Sequence, residues 1–335
     1  MLPSHGRKGK GPRGGKRRPK RGNPQHPPDR VVRKTPSGSE RTLIPVYRTV
    51  KDSDGTIKAV LDFGGPFPVE AVLLIAPSGR RTACLSTQLG CARGCRFCKT
   101  GTLGFVRNLS SEEILTQYEV LSREGGEPSN LVFMGMGEPL ENLPEVQQGI
   151  HLLLRRKRGP ALRHITISTA GIVPSIYKLA GEGPPVYLTL SVPSVKEEIR
   201  RKLMPGVSAY SLGEIKEALL YYRSRTGKRP TLAVVLMEGI NDTLEDARLL
   251  LDYARGLDPL VNLIPYNPVA GLPYRSAEDK TIQSFYRVLT EAKIPTVRRF
   301  PRGRGVCGAC GQLGASLFVE GIHGSKWTEV LEHAE

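Results

Sequence analysis

The sequence predicts an α/β protein built on a parallel sheet, and three observations carry that reading. Short β-branched and apolar runs recur at Leu131–Met134, His164–Ser168, Val186–Val192, Thr231–Met237 and Val261–Pro265. Stretches with apolar residues at helical spacing lie between them. The length, 335 residues, suffices for one large α/β domain with extensions. Repeated strand–helix units give a sheet that is either open-wound or closed into a barrel, with chemistry at the C-terminal strand ends.

Taken in order, residues 1–40 are rich in Gly, Pro, Lys and Arg and cannot bury a core, so they read as a disordered basic tail. Residues 41–83 contain the runs Leu43–Val50, Ile57–Phe63 and Val69–Ile75. Asp54-Gly55 and Gly64-Gly65-Pro66 punctuate them, which predicts a small antiparallel sheet. From Cys84 onward strands and helices alternate. Ser110 and Glu113 form a capping box ahead of Ile114, Leu115, Tyr118 and Leu121, which share one helical face. Leu143–Leu154, Ser211–Tyr222, Thr243–Ala254 and Thr281–Ala292 read as further helices. Residues 84–320 are the expected core and 321–335 a C-terminal tail.

The formal net charge is +17, of which residues 1–40 supply +10 through twelve Lys or Arg against Asp29 and Glu40. The body is therefore basic on its own, which points to a polyanionic partner. No apolar run is long enough to span a membrane, and no apolar segment follows the N-terminal charges as in a secretion signal. Six cysteines are too few for a disulfide scaffold, and their clustering suggests metal or redox chemistry in a reducing compartment. A cytoplasmic location is expected.

The chemistry begins with Cys91-Ala-Arg-Gly-Cys95-Arg-Phe97-Cys98. Spacings of four and three let one loop aim three thiols at a single point. Three thiolates on a 4Fe–4S cluster leave one iron free to bind the amino and carboxylate groups of S-adenosylmethionine. A structural zinc site would need a fourth ligand, which this loop lacks. Metal ligands are therefore expected at Cys91, Cys95 and Cys98, with Phe97 shielding them from water. Gly137 and Glu138, in Gly135-Met-Gly-Glu-Pro139, follow the strand Leu131–Met134; the glycine allows close approach and the carboxylate can bind the ligand's ammonium. Ser168, Ser191 and Asn267 fall at strand ends on the same rim and suit ribose hydroxyls or the carboxylate.

The remaining cysteines are Cys84, Cys307 and Cys310. Cys307-x-x-Cys310 reads as half a zinc site or as a redox pair. Arg298, Arg299, Arg302 and Arg304 lie just upstream, where they would lower thiol pKa values and attract phosphates. A thiol beside a basic strip suggests covalent chemistry on nucleic acid.

At these residues the sequence resembles the radical S-adenosylmethionine RNA methyltransferases that act on adenosine C2 (RlmN type) or C8 (Cfr type), and the C2 type more closely. The resemblance runs from Glu70 to Leu317. It passes through Cys84-Leu-Ser-Thr-Gln-Leu-Gly-Cys91, the cluster loop, the Thr100–Asn108 stretch, Gly137-Glu138-Pro139, Leu203-Met-Pro205, Tyr266-Asn267-Pro268 and Ala309-Cys310-Gly-Gln-Leu313. It implies a partial (β/α)6 radical SAM barrel and two molecules of S-adenosylmethionine per turnover. One would methylate Cys310. The other, on the cluster, would give a 5′-deoxyadenosyl radical that converts the S-methyl group into a carbon radical able to add to adenine. Cys84 would remove the ring proton and resolve the protein–RNA bond, leaving a Cys84–Cys310 disulfide. Glu70 lies near a family carboxylate that touches the substrate base. The implied partners are RNA (23S rRNA, and tRNA for C2 enzymes) and an electron donor such as flavodoxin or ferredoxin; a monomer is expected. The chain departs from the family at Ser191-Val-Pro193-Ser194 and at Cys307. Its rivals are C8 specificity, a radical enzyme with another substrate, and an iron–sulfur RNA-binding protein without catalysis.

Overall fold

The computed structural model describes residues 47–207 and 209–314. The expected basic tail, the start of the first expected strand and the C-terminal tail lie outside the described residues.

Three strands open the described residues: β1 (Tyr47–Lys51), β2 (Ile57–Leu61) and β3 (Val69–Ile75). They pair antiparallel, as the turn signals predict. They are not a sheet of their own, however, because β3 pairs antiparallel with β4 (Arg81–Leu85), the first parallel strand of the core. A hairpin (β5, Gln88–Gly90; β6, Phe105–Asn108) brackets the cysteine loop. Strand–helix alternation then follows. It comprises α1 (Ser111–Gly125), β7 (Asn130–Phe133), α2 (Leu143–Leu154), β8 (Ile165–Thr169), α3 (Val173–Glu182), β9 (Tyr187–Ser191), α4 (Glu197–Leu203) and α5 (Leu212–Thr226). It closes with β10 (Thr231–Leu236), α6 (Leu244–Ala254), β11 (Leu260–Pro265), α7 (Asp279–Glu291) and the short β12 (Thr296–Arg298).

One ten-stranded sheet results, in the order β1-β2-β3-β4-β7-β8-β9-β10-β11-β12. From β4 to β12 every pairing is parallel. β1 and β12 do not pair, so the sheet is an open, partial barrel with six full parallel strands and β12 as a seventh, short one. The expected α/β class and partial barrel are therefore observed. Three helices start where a Ser or Thr accepts the N–H of an acidic residue three positions on: Ser110/Glu113, Ser211/Glu214 and Thr243/Asp246. Each such cap is worth about 1 kcal/mol. The helices bury their apolar faces against the sheet, as with Ile114, Tyr118 and Leu121 of α1. That leaves the strands' other face to line the barrel interior. Among the described residues no helix is long and apolar enough to cross a membrane.

Candidate active site

Two cavities occupy the barrel interior. The inner one, about 180 Å3, lies against the cysteine loop. The sequence-predicted Cys91, Cys95, Cys98, Gly137, Glu138, Ser168, Ser191, Asn267 and Cys310 all line it. The outer one, about 440 Å3, is lined by Cys84, Cys310, Arg80, Arg299, Phe300 and Arg302, among others. Cys310 belongs to both.

The cysteine loop takes its shape from backbone contacts. The Cys91 N–H donates to Gly104 O at 2.7 Å, and that closeness requires Gly90: a Cβ there would sit 1.9 Å from the same oxygen, at φ +81°. Arg93 donates to Gly206 O and pairs with Glu141, both at 2.5 Å, while the Arg96 N–H reaches Leu203 O at 2.9 Å. Burial raises the pKa of all three loop thiols; Cys91 and Cys95 are also repelled by other thiols of the loop, and Cys98 by Cys310; Cys91 reaches about 12. Three thiols driven together this way become thiolates only against a strong positive charge, which suits the iron of a cluster. The donor set therefore fits such a cluster.

Glu138 is 3% exposed and lines the inner cavity with the strand-end serines. It accepts the N–H of Leu140 on Oε1 (3.0 Å) and that of Ala170 on Oε2 (2.7 Å), each oxygen keeping acceptor capacity. Burial pushes its carboxyl up to about 7 against those hydrogen bonds. Gly137, at φ +98°, packs onto Gln88, whose Cβ lies 2.5 Å from where a Gly137 Cβ would stand. Ser168 and Ser191 share a hydrogen bond at 3.3 Å across the ends of β8 and β9.

Asn267 is placed at the rim as expected, but its amide is engaged. It donates to Cys310 O (3.1 Å) and accepts from Arg304 Nε (2.9 Å), so it holds the Cys310 segment. Other contacts tie the same segment. The Lys99 N–H donates to Gly311 O (2.8 Å), Thr100 Oγ1 to Leu313 O (2.8 Å) and Gln312 Nε2 to Pro268 O (2.8 Å). The β1–β2 turn contributes two acceptors that the sequence did not announce: Asp54 takes the Gly303 N–H (2.9 Å) and Asp52 the Gly305 N–H (3.0 Å). The antiparallel extension thereby fastens the segment that carries Cys310.

Glu70 lines neither cavity. It is fully buried on β3, paired with Lys58 at 3.5 Å, and accepts the Gly314 N–H at 2.8 Å. Cys84, 8% exposed on β4, packs with Val72, Met136 and Leu313. Burial drives its thiol to about 12; Cys310 pushes the same way, while a backbone contact at Met134 and the Arg299 charge pull it down. Cys307 sits at φ +49°, a left-handed conformation unusual for a residue with a side chain, and lines neither cavity. All six cysteines are free thiols, so the disulfide implied by the family resemblance is not among the bonds of this structure.

Comparison with known proteins agrees with this site. Residues 85–251 match the model of the radical SAM superfamily. A relative from Treponema pallidum bearing the RlmN name is 44% identical over 275 residues, 82% of this chain and 81% of its own. The chain belongs to the RlmN family of radical SAM RNA methyltransferases. A second member, the dual-specificity RNA methyltransferase RlmN of Anaeromyxobacter, is 43% identical over 273 residues, covering 78% of this chain and 72% of its own. The crystal structure of a radical SAM methyltransferase from Sphaerobacter thermophilus superposes with a TM-score of 0.75 at 38% identity, covering 81% of each chain. Membership of this family entails a cluster and S-adenosylmethionine, and the inner cavity holds the side chains suited to both.

Proposed function

We propose that the protein methylates C2 of an adenine in RNA, 23S rRNA and tRNA being the expected targets, with Cys310 as methyl carrier and Cys84 as the group that completes the transfer. The observation that carries this reading is the position of Cys310 at the junction of the two cavities. One thiol can reach the S-adenosylmethionine side and the basic chamber that contains Cys84. The RlmN name of the relatives favours C2 over C8.

Cys91, Cys95 and Cys98 would hold the cluster, and Glu138, Ser168 and Ser191 would orient the ligand's amino, ribose and carboxylate groups. Together the cluster and S-adenosylmethionine supply an electron and, after reductive cleavage, a hydrogen-abstracting carbon radical. Adenine ring carbons are electrophilic, so they reject ordinary transfer of a methyl cation; a carrier sulfur whose methyl group becomes a radical avoids that difficulty. In this reading Cys310 loses its thiol proton on being methylated, and its methyl carbon later bonds to the ring. As the adduct radical gives up one electron, which returns to the oxidised cluster, Cys84 accepts the ring proton. Its sulfur then bonds to that of Cys310, breaking the carbon–sulfur link; the released carbon gains a proton, and two electrons must come from outside to reduce the resulting disulfide. A low-potential donor of the flavodoxin or ferredoxin class would serve the cluster. A cytoplasmic, monomeric enzyme is part of the same proposal.

The test is a Cys84→Ala variant, reconstituted anaerobically and given RNA, S-adenosylmethionine and a strong reductant. It is expected to accumulate a covalent protein–RNA adduct through Cys310. Undiminished turnover without an adduct would remove Cys84 from the reaction, and accumulation only in Cys307→Ala would transfer its role to Cys307.

A further inference from the structure

The run Arg298-Arg299-Phe300-Pro301-Arg302 leaves β12, the edge strand of the sheet, along the rim of the outer chamber. Phe300 is 76% exposed, more than any other large apolar side chain among the described residues. A single exposed apolar residue is ordinary. The surroundings of this one are not. The Arg298 guanidinium lies 5.7 Å from the ring centroid and is itself anchored to Asp279 at 2.6 Å, so the ring is backed by a fixed cation. Arg302 donates to Ile75 O at 2.9 Å, which fixes the strip from the other end. Arg80, Arg299, Cys84 and Cys310 line the same chamber.

We propose that Phe300 is a stacking platform for an unpaired base next to the target adenosine. This rests on the reading that RNA is the substrate. Sites for unpaired nucleic acid combine cations that follow the phosphates with an aromatic face that takes a base, and the rim offers that combination. An apolar protein surface would leave Arg80, Arg299 and Arg302 without counter-charges. The need for such a platform follows from the burial of Cys84. An adenine that reaches Cys84, 8% exposed inside the chamber, has to leave its own stack. Its neighbour then loses a stacking partner at the rim, where the Phe300 ring stands. Phe300 lies outside every motif that carries the family resemblance, so it sets how the RNA is held, not which reaction follows.

The test uses reconstituted full-length protein and a hairpin RNA with an unpaired target adenosine, intact or with an abasic site 5′ or 3′ of the target. Phe300→Ala should raise KM roughly 5- to 100-fold, as expected for one lost base–aromatic stack, with the single-turnover rate at saturating RNA near wild type. Phe300→Trp should keep or tighten binding. One of the two abasic RNAs should weaken wild type by a similar factor and leave Phe300→Ala without further loss. An unchanged KM in Phe300→Ala, or an abasic penalty equal in both proteins, overturns the proposal. If wild type itself neither binds nor methylates the hairpin, the RNA reading fails, and Phe300 with it. Because the ring is exposed, an unchanged melting temperature is the check that Phe300→Ala is folded.

Discussion

Glu138 gives the sharpest pH dependence in the site. Its carboxyl is pushed up to about 7 by burial, so near neutrality the protein without ligand is a mixture of ionised and protonated forms. The proposed ligand presents N–H donors to this group, and only the carboxylate accepts on both oxygens. Binding should therefore select the ionised form and release a proton. At pH 6 about one molecule in ten carries the ionised group, so the apparent affinity should fall about tenfold from its plateau above pH 8. The assay is anaerobic calorimetry of S-adenosylmethionine binding between pH 5.8 and 8.5, on wild type and on Glu138→Gln. The variant should bind weakly throughout and lack the inflection near 7. Any titration of the ligand's own amino group persists in both proteins, so the difference between the curves isolates the carboxyl. Identical pH profiles in the two proteins would refute the assignment.

Two further perturbations probe the outer chamber. Among the described residues Arg299 is the cation that lowers the pKa of buried Cys84, so Arg299→Gln should slow the resolving step about three- to tenfold at saturating RNA, and Arg299→Lys should restore most of it; an unchanged single-turnover rate in Arg299→Gln would sever that link. Asp54→Ala removes the acceptor of the Gly303 and Thr56 N–H groups and should cost about 1–2 kcal/mol, with faster amide hydrogen exchange across residues 303–310. Burial raises the Asp54 pKa, but hydrogen bonds from Thr56 and Gly303 and the Arg302 charge outweigh it and hold the group below its ordinary value. Its contribution is thus complete at neutral pH and disappears only as acid protonates it. Unaltered exchange in Asp54→Ala would mean that the β1–β2 turn does not fasten the Cys310 segment.

The parts that were legible in the sequence are those encoded locally. The Ser110/Glu113 box and the three-cysteine loop each concentrate their signal within eight residues or fewer, and both stand where expected. Strand β4 went unread because Arg81-Thr-Ala-Cys-Leu85 shows no clear alternation, and helix α4 because Glu197–Leu203 is mostly charged. The grip of Asp52 and Asp54 on Gly305 and Gly303 spans about 250 residues of chain and leaves no local trace. Asn267 and Glu70 show a different limit. A polar residue at a strand end or a lone acid in an apolar strand signals a role, yet it does not say with whom. Here Asn267 holds the Cys310 loop, and Glu70 meets Lys58 and Gly314 behind it.

The central claim is that the methyl carbon travels on Cys310, and isotopic labelling reads this most directly. S-adenosylmethionine with a trideuterated methyl group is given to the reconstituted enzyme with RNA, and the product nucleoside is analysed by mass spectrometry. Passage through a carrier sulfur with hydrogen abstraction predicts 2-methyladenosine that retains two of the three deuterium atoms, and no product from Cys310→Ala. A product that keeps all three, or methylation that survives Cys310→Ala, would contradict the account.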